Sequence, residues 1–468
     1  MIFSDNPRPD NSRRATLAAL LFALIFSNLA PARAQAPAQA PDPTAKIEEY
    51  MNAVMKAENF SGSILVARRG RPIVAKGYGM ADFENRVPNT SKTRFRIGSV
   101  TKQFTAAAVL LLQERGKLSV QDSVCKYVEP CPAAWQPIKI HHLLSHTAGI
   151  PNFTSFPDYM QTMGQPSAPA TTIARFRDRP LEFQPGEKHK YSNSGYVLLG
   201  HVIERVSGQP YGAFMRENIF KPLKMENTGY DDASAPAGPR AKGYRVGTGG
   251  APAPAAHIDM TIPHAAGALY STVEDLHLWD QALNSDKVLK KTSLDVMFTP
   301  VRDDYAYGWN VAKQGARTQH SHGGGINGFT SYFARYPEEG VTVVVLANLQ
   351  EAAPPSRVAR DLTAIVYGEK YELPVARVIA KVDPKIYDSY VGEYELAPAV
   401  ALAITREGDS LMAQPTGQRK IELLPTSETV FAPRTIRVEI TFVRDAAGQV
   451  THLIFKQGGR ERTAKKIK

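Results

Sequence analysis

The chain has 468 residues, 43% of them hydrophobic and 22% charged, and its 56 Lys and Arg exceed its 45 Asp and Glu to leave a formal net charge of +11. That length is more than one compact core usually holds, so at least two domains are expected, and the composition excludes a disordered, collagenous or disulfide-scaffold chain. The basic residues are spread along the chain without a nucleic-acid-binding motif, so they read as solvated surface and a nucleic-acid partner is not expected.

At the N-terminus, Arg13 and Arg14 precede the apolar run ATLAALLFALIFSNLA. The run is short and wrongly flanked for a membrane span, and Ala32 and Ala34 form an A-x-A cleavage signal. A signal peptide over residues 1–34 is therefore expected, with Gln35 as the mature terminus. Export to a periplasm or beyond follows, with no stable membrane insertion after cleavage; an uncleaved signal anchor is the competing reading. Residues 35–44, QAPAQAPDPT, read as a Pro/Ala tether. In an exported chain, Cys125 and Cys131 in VCKYVEPCPAAW are expected to close a small disulfide, with two free thiols as the alternative.

Residues 61–79, SGSILVARRGRPIVAKGYG, read as a β-hairpin around an Arg/Gly turn. The stretch RFRIGSVTKQFTAAAVLLLQERG (94–116) predicts a buried helix over Thr101–Arg115, stopped by Gly116. A Pro-rich middle, about 120–265, carries short helical signals such as SGYVLLGHVIERVSG. YSTVEDLHLWDQAL predicts an amphipathic helix with a capping box from Ser271 to Glu274. TSYFARYPEEGVTVVVLANL predicts a hairpin whose second strand, Val341–Ala347, is buried on both faces. Strands at both ends with helices between them imply an α+β domain over 45–368: an antiparallel sheet covered by helices plus an all-helical subdomain, with the active site in the cleft between them. Composition shifts near 370, and 369–384 reads as a linker. Over 385–468 the runs are short, alternating and turn-punctuated, as in VALAITREGDSLMAQ, and predict a small all-β barrel or sandwich.

Three polar elements stand out. Ser99 and Lys102 lie one turn apart where a strand gives way to the helix. A serine hydroxyl needs a base within hydrogen-bond reach, and a lysine desolvated in a cleft loses basicity and takes that role. The competing reading is a helix cap beside a surface lysine. The same spacing recurs at Ser123 and Lys126, which lead into a Cys/Pro loop and not a helix. The second element is Tyr191 with Asn193, ahead of a helical run: the tyrosine as a proton relay if nearby cations lower its pKa, the asparagine as a holder of the lysine and a substrate carbonyl. A packed Tyr and a turn Asn are the alternative, and Tyr50 with Asn52 repeats the spacing. The third is His322, followed by Gly323, Gly324 and Gly325 on a sheet strand, where backbone can approach a ligand. The pairs His320 with His322 and His142 with His146 form no complete ligand set, so no catalytic metal and no cofactor are expected.

Taken together, Ser-x-x-Lys, Tyr-x-Asn and His-x-Gly in this order resemble the serine β-lactamase and penicillin-binding superfamily, of the class C-like type grouped as peptidase family S12. The resemblance spans about 45–350 and extends to FRIGSVTKQFTA, HHLLSHTAGIPNF, FQPGEKHKYSNSGYVLLG and HGGGINGFTS. The tail, with YVGEYELAP and FVRDAAGQV, resembles the lipocalin-like barrel at the C-terminus of some S12 peptidases. The resemblance implies a β-lactamase/transpeptidase-like fold and a serine hydrolase. It makes Ser99 the nucleophile, Lys102 its base or the charge that tunes the base, and Tyr191 the proton relay. Asn193, His322, Gly323 and Gly324 would bind substrate, and the backbone N–H groups of Ser99 and Gly325 would form the oxyanion hole. One departure matters. The third motif in this group is often Lys-Thr-Gly or His-Thr-Gly, and here a glycine, Gly323, replaces the hydroxyl residue. Grip on a substrate carboxylate is weakened, so efficient β-lactam hydrolysis is not expected. The expected substrate is a small D-residue-containing peptide, including peptidoglycan fragments, or an ester; a lapsed enzyme that only binds such ligands is a third reading. The sequence carries no signal for an oligomeric state.

Overall fold

Apolar runs more than 240 residues apart in sequence meet in one sheet. The structure is a computed structural model and describes residues 42–232, 238–247, 250–376, 378–398, 400–418, 420–434, 438–457 and 460–468. The expected signal peptide, its cleavage site and most of the tether lie outside these residues. Among the described residues no helix is long and apolar enough to cross a membrane.

The elements that place the site run in this order. Helix α1 (Thr44–Glu58) leads into the hairpin β1 (Gly62–Arg68) and β2 (Arg71–Tyr78). Helices α2 (Thr101–Glu114), α3 (Asn193–Ser207), α4 (His264–Gly267) and α5 (Val273–Ala282) follow. Strands β3 (Asn310–Gln314), β4 (Arg317–Ile326), β5 (Phe329–Tyr336) and β6 (Val341–Ala347) then lead to α6 (Pro355–Tyr367). The sheet is antiparallel in the order β3-β4-β5-β6-β1-β2.

Strand β6 is buried along its whole length, because both faces of the sheet are covered. Val344 and Leu346 join the large core with Phe104 and Phe333, while Val343 and Val345 join a second core with Ile47, Met51, Val358 and Leu362 from α1 and α6. Helix α2 is buried from Thr101 to Leu112 and is apolar nearly all round, as a helix enclosed by others must be. Helix α5 departs from the expected capping box by one residue. Ser271 is still in a strand, paired with Phe95, so Thr272 becomes the cap and its Oγ1 accepts the Asp275 N–H at 3.0 Å. Glu274 instead accepts from the Ser91 hydroxyl at 2.6 Å.

After a 3-10 turn (Pro384–Ser389) the chain forms a closed barrel of eight strands. These are β7 (Gly392–Ala397), β8 (Val400–Glu407), β9 (Ser410–Pro415), β10 (Ile421–Pro425), β11 (Val430–Pro433), β12 (Val438–Arg444), β13 (Val450–Gln457) and β14 (Arg460–Lys466). Of the two all-β architectures the sequence allows, it is the barrel. Cys125 and Cys131 are joined by a disulfide.

Candidate active site

Ser99 sits in a 3-10 turn (Gly98–Val100) that precedes α2, and its side chain makes no capping bond. The capping reading of this serine is therefore replaced. Gly98 has φ +51°, in the left-handed region, and this turn carries the chain from the strand Phe95–Arg96 into α2. It also brings two backbones together: a Cβ at position 98 would lie 2.8 Å from the Gly325 nitrogen on β4.

Lys102, one turn on, is fully buried at 0% exposure. Its Nζ lies 2.7 Å from the Ala266 carbonyl oxygen on α4, 2.9 Å from Asn193 Oδ1 at the start of α3 and 3.1 Å from Ser99 Oγ. The Asn193 amide is oriented by its own bonds: Nδ2–H donates to Thr154 Oγ1 at 3.2 Å and the backbone N–H to Asn152 Oδ1 at 3.1 Å. Among the described residues no carboxylate pairs with Lys102, and burial holds its pKa well below the usual lysine range. A neutral amine has two N–H donors and one lone pair. With both donors spent on Asn193 and Ala266, the lone pair faces the Ser99 hydroxyl.

Tyr191 closes the other side, with Lys102 Nζ 4.8 Å from its ring centroid and 5.3 Å from that of Tyr196. The sequence reading has neighbouring cations lowering the Tyr191 pKa. The structure reverses this: burial raises it above the ordinary tyrosine range, and a hydrogen bond with Ser99 draws it only partly back. The reason is desolvation: the buried phenolate loses more in leaving water than the Ser99 hydroxyl gives back.

His322 is 4% exposed and joins a buried chain of hydrogen bonds. The Ser192 N–H donates to His146 Nδ1 at 3.2 Å, His146 Nε2 lies 3.1 Å from the Tyr305 hydroxyl, that hydroxyl lies 3.0 Å from His322 Nε2, and His322 Nδ1 lies 2.6 Å from the Gly323 carbonyl oxygen. The backbone groups at the two ends fix His146 Nδ1 as an acceptor and His322 Nδ1 as a donor. Burial first, then Lys102, pushes the His322 pKa down to about 4, so near neutral pH His322 is a neutral imidazole that accepts the Tyr305 O–H at Nε2.

The same burial makes stability pH-dependent. An unfolded histidine takes up its proton near its ordinary 6.5, and native His322 only near 4. Below about 6.5 the unfolded state therefore binds more protons, and the fold should lose about 3 kcal/mol through His322 alone by about pH 4. Urea midpoints across that window should fall with acidity, and His322→Gln should flatten the fall; an unchanged slope would contradict neutral burial.

The three glycines differ. A Cβ at Gly324 would lie 2.1 Å from the Ile97 carbonyl oxygen and 2.3 Å from Ser331 Oγ. At Gly323 the nearest atom would be Tyr332 Cδ2 at 3.6 Å, and at Gly325 nothing lies within 4 Å. The remaining histidines go elsewhere: His142 Nδ1 accepts the Lys139 N–H at 3.1 Å, and His320 stacks on Phe298 at 4.3 Å. Ser123 caps a short turn, donating to the Gln136 carbonyl at 2.9 Å, while Lys126 pairs with Asp122.

The fold therefore brings Ser99, Lys102, Tyr191, Asn193, His322 and Gly325 into one cluster and leaves Ser123 outside it. Sequence reasoning missed Ala266, Asn152, Thr154 and Tyr305. A backbone carbonyl leaves no trace in a sequence, and Tyr305 sits in DDYAYGWN with no spacing that marks it.

The chain belongs to the Beta-lactamase family, whose model matches residues 45–367, a serine hydrolase fold; residues 376–466 match a "Domain of unknown function (DUF3471)". Penicillin-binding protein 4* of Bacillus subtilis (strain 168) is 29% identical over 430 residues, covering 86% of this chain and 94% of that protein. The octameric penicillin-binding protein homologue from Pyrococcus abyssi superimposes with a TM-score of 0.65 at 27% identity, over 90% of this chain and 99% of that one. The D-stereospecific amidohydrolase from Streptomyces sp. matches with a TM-score of 0.59 at 27% identity, over 70% of this chain and all of that one (100%).

Proposed function

We propose that the chain is an exported hydrolase that forms an acyl-enzyme on Ser99 and cleaves amides of D-amino-acid-containing substrates. The observation that carries this reading is the Lys102 amine, 3.1 Å from Ser99 Oγ, with its other two contacts on fixed acceptors. Lys102 takes the Ser99 proton as Oγ attacks the carbonyl. The oxyanion rests on the N–H groups of Ser99 and Gly325. Tyr191 donates its O–H proton to the leaving amine and regains a proton from Lys102; water then reverses the sequence to release the acid.

Two features favour an amide with an uncharged far end over a C-terminal carboxylate or a β-lactam. His322 offers no positive charge near neutral pH, and Gly323 offers no hydroxyl. The D-configuration is suggested by the D-stereospecific amidohydrolase among the similar structures. Export is supported by the A-x-A signal and by the Cys125–Cys131 disulfide, which suits an oxidising compartment.

A fluorophosphonate probe should label the purified protein at Ser99, and Ser99→Ala should abolish both labelling and turnover. In a panel of D-aminoacyl anilides, short p-nitrophenyl esters, nitrocefin and peptides ending in D-Ala-D-Ala, the D-aminoacyl anilides should be turned over fastest. Labelling that survives Ser99→Ala, or that maps to Ser123, would overturn the assignment. Ester turnover that outpaces every anilide would move the enzyme to the carboxylesterases.

A further inference from the structure

The C-terminal barrel is filled at one end and hollow at the other. Tyr390, Tyr394, Phe431 and Phe442 close the filled end, with the Tyr390 and Phe442 rings stacked 4.2 Å apart. Towards the opposite end the inward positions turn small or rigid, with Ala397, Ala413, Pro415 and Pro433. They leave a cavity of about 750 Å³ walled by Leu402, Ile421, Ile440 and Phe455. That volume lies within the range of small-molecule sites, and an eight-stranded barrel has room either for its own side chains or for one small ligand.

The charge on this wall is one-sided. Inward and outward positions alternate along β14, so Arg460 and Arg462 share the inward face with buried Ala464 and stand opposite Gln457 and Phe455 of β13. Outward-facing Glu461 pairs instead with Lys456. Among the described residues, Arg460 and Arg462 are the charged residues of the cavity lining, no Asp or Glu lines it, and neither guanidinium has a hydrogen-bond or ion-pair partner. Both arginines are solvent-exposed at the rim of the apolar cup, where their guanidiniums are free to give an anion charge-assisted hydrogen bonds. From the mouth layer at Val400 to the floor layer at Ile404 is about 13 Å along a strand, at about 3.3 Å per residue.

We propose that the barrel binds a single-chain anionic amphiphile of medium length, with its alkyl tail in the cavity and its head between Arg460 and Arg462. The head is a fatty-acid carboxylate or an alkyl phosphate, which share this chemistry. The site is separate from the Ser99 cleft and does not depend on the reaction assigned there.

The test uses the full chain and dansyl-labelled undecanoic acid as the fluorescent probe. One probe should bind per chain and be displaced by decanoate or by decyl phosphate, the stronger of the two naming the source, and far less by decanol. Arg460→Gln with Arg462→Gln should weaken binding about tenfold or more. Ala413→Trp should fill the cup and abolish it, with an unchanged far-UV circular dichroism spectrum and a cooperative melt reporting that the barrel still folds. Phosphonylated protein should bind the probe as tightly as the free protein. Displacement by decanol as strong as by decanoate, full affinity in the double arginine variant, or loss of binding on phosphonylation would each overturn the proposal; the last would place the probe in the Ser99 cleft.

Discussion

Lys102→Met should leave the protein folded and reduce kcat/KM by about 10⁴-fold, the upper end of what general-base catalysis supplies. The thioether fills the volume of the lysine stem but has no lone pair basic enough to take the Ser99 proton. Lys102→Arg should be equally inactive, because a guanidinium stays protonated in proteins. The pH profile separates the two candidate bases. Lys102 must be neutral to act, and burial lowers its pKa, so activity should rise to a plateau at a pH well below the ordinary lysine range and fall as acid drives the proton back onto Nζ. A tyrosinate base would behave in the opposite way: the Tyr191 pKa is raised, and activity would climb steeply into alkali. Steady-state kcat/KM between acid and alkaline limits decides between them. A steep alkaline rise would move the base from Lys102 to Tyr191.

Gly324→Ala should cost about 10²-fold or more in kcat/KM and about 1–3 kcal/mol in stability, from one added methyl group. The methyl carbon would fall 2.1 Å from the Ile97 carbonyl oxygen and 2.3 Å from Ser331 Oγ, and those two atoms are themselves hydrogen-bonded at 2.8 Å. Strand β4 must then retreat from the segment that carries Ser99, two residues beyond Ile97, and the Gly325 N–H retreats with it. The neighbouring change is the control. Gly323→Thr places its Cβ no closer than 3.6 Å to any other residue beyond its chain neighbours, on a strand that tolerates β-branching. It should keep the fold and turnover of D-aminoacyl anilides while improving turnover of nitrocefin and of peptides ending in D-Ala. Equal losses at 323 and 324 in thermal melts and in turnover would show that the whole glycine run is needed for flexibility and not for one close approach.

Much of this arrangement was legible in the residues. The apolar density of Val341–Ala347 announces a strand covered on both faces, and the buried run after Thr101 announces an enclosed helix, because hydrophobic period and length are local properties. Ser99, Lys102, Tyr191, Asn193 and His322 were singled out by spacings that are weak one by one and by an order that resembles a known family's motifs. The capping residue of α5 was misplaced by one, because pairing of Ser271 with Phe95 is a contact across 176 residues that holds the chain extended for one residue more. Capping by Ser99 failed for a similar reason: the turn at Gly98 is shaped by the approach of Gly325, not by the helix it precedes.

The sequence by itself determined the α+β layout and the closing β domain, which are written in composition and periodicity, and it singled out polar residues that the fold brings together, through their spacing and their resemblance to a family's motifs. Tertiary structure alone decided their chemical state. Whether Lys102 is a charge or a base depends on its burial, and where its Nζ sits depends on the Ala266 carbonyl and on Asn193, 164 and 91 residues away. Whether His322 is a cation depends on its burial and on Lys102 from a distant helix. Protonation is set by desolvation and by the partners at hydrogen-bond distance, and both exist only after distant segments have packed.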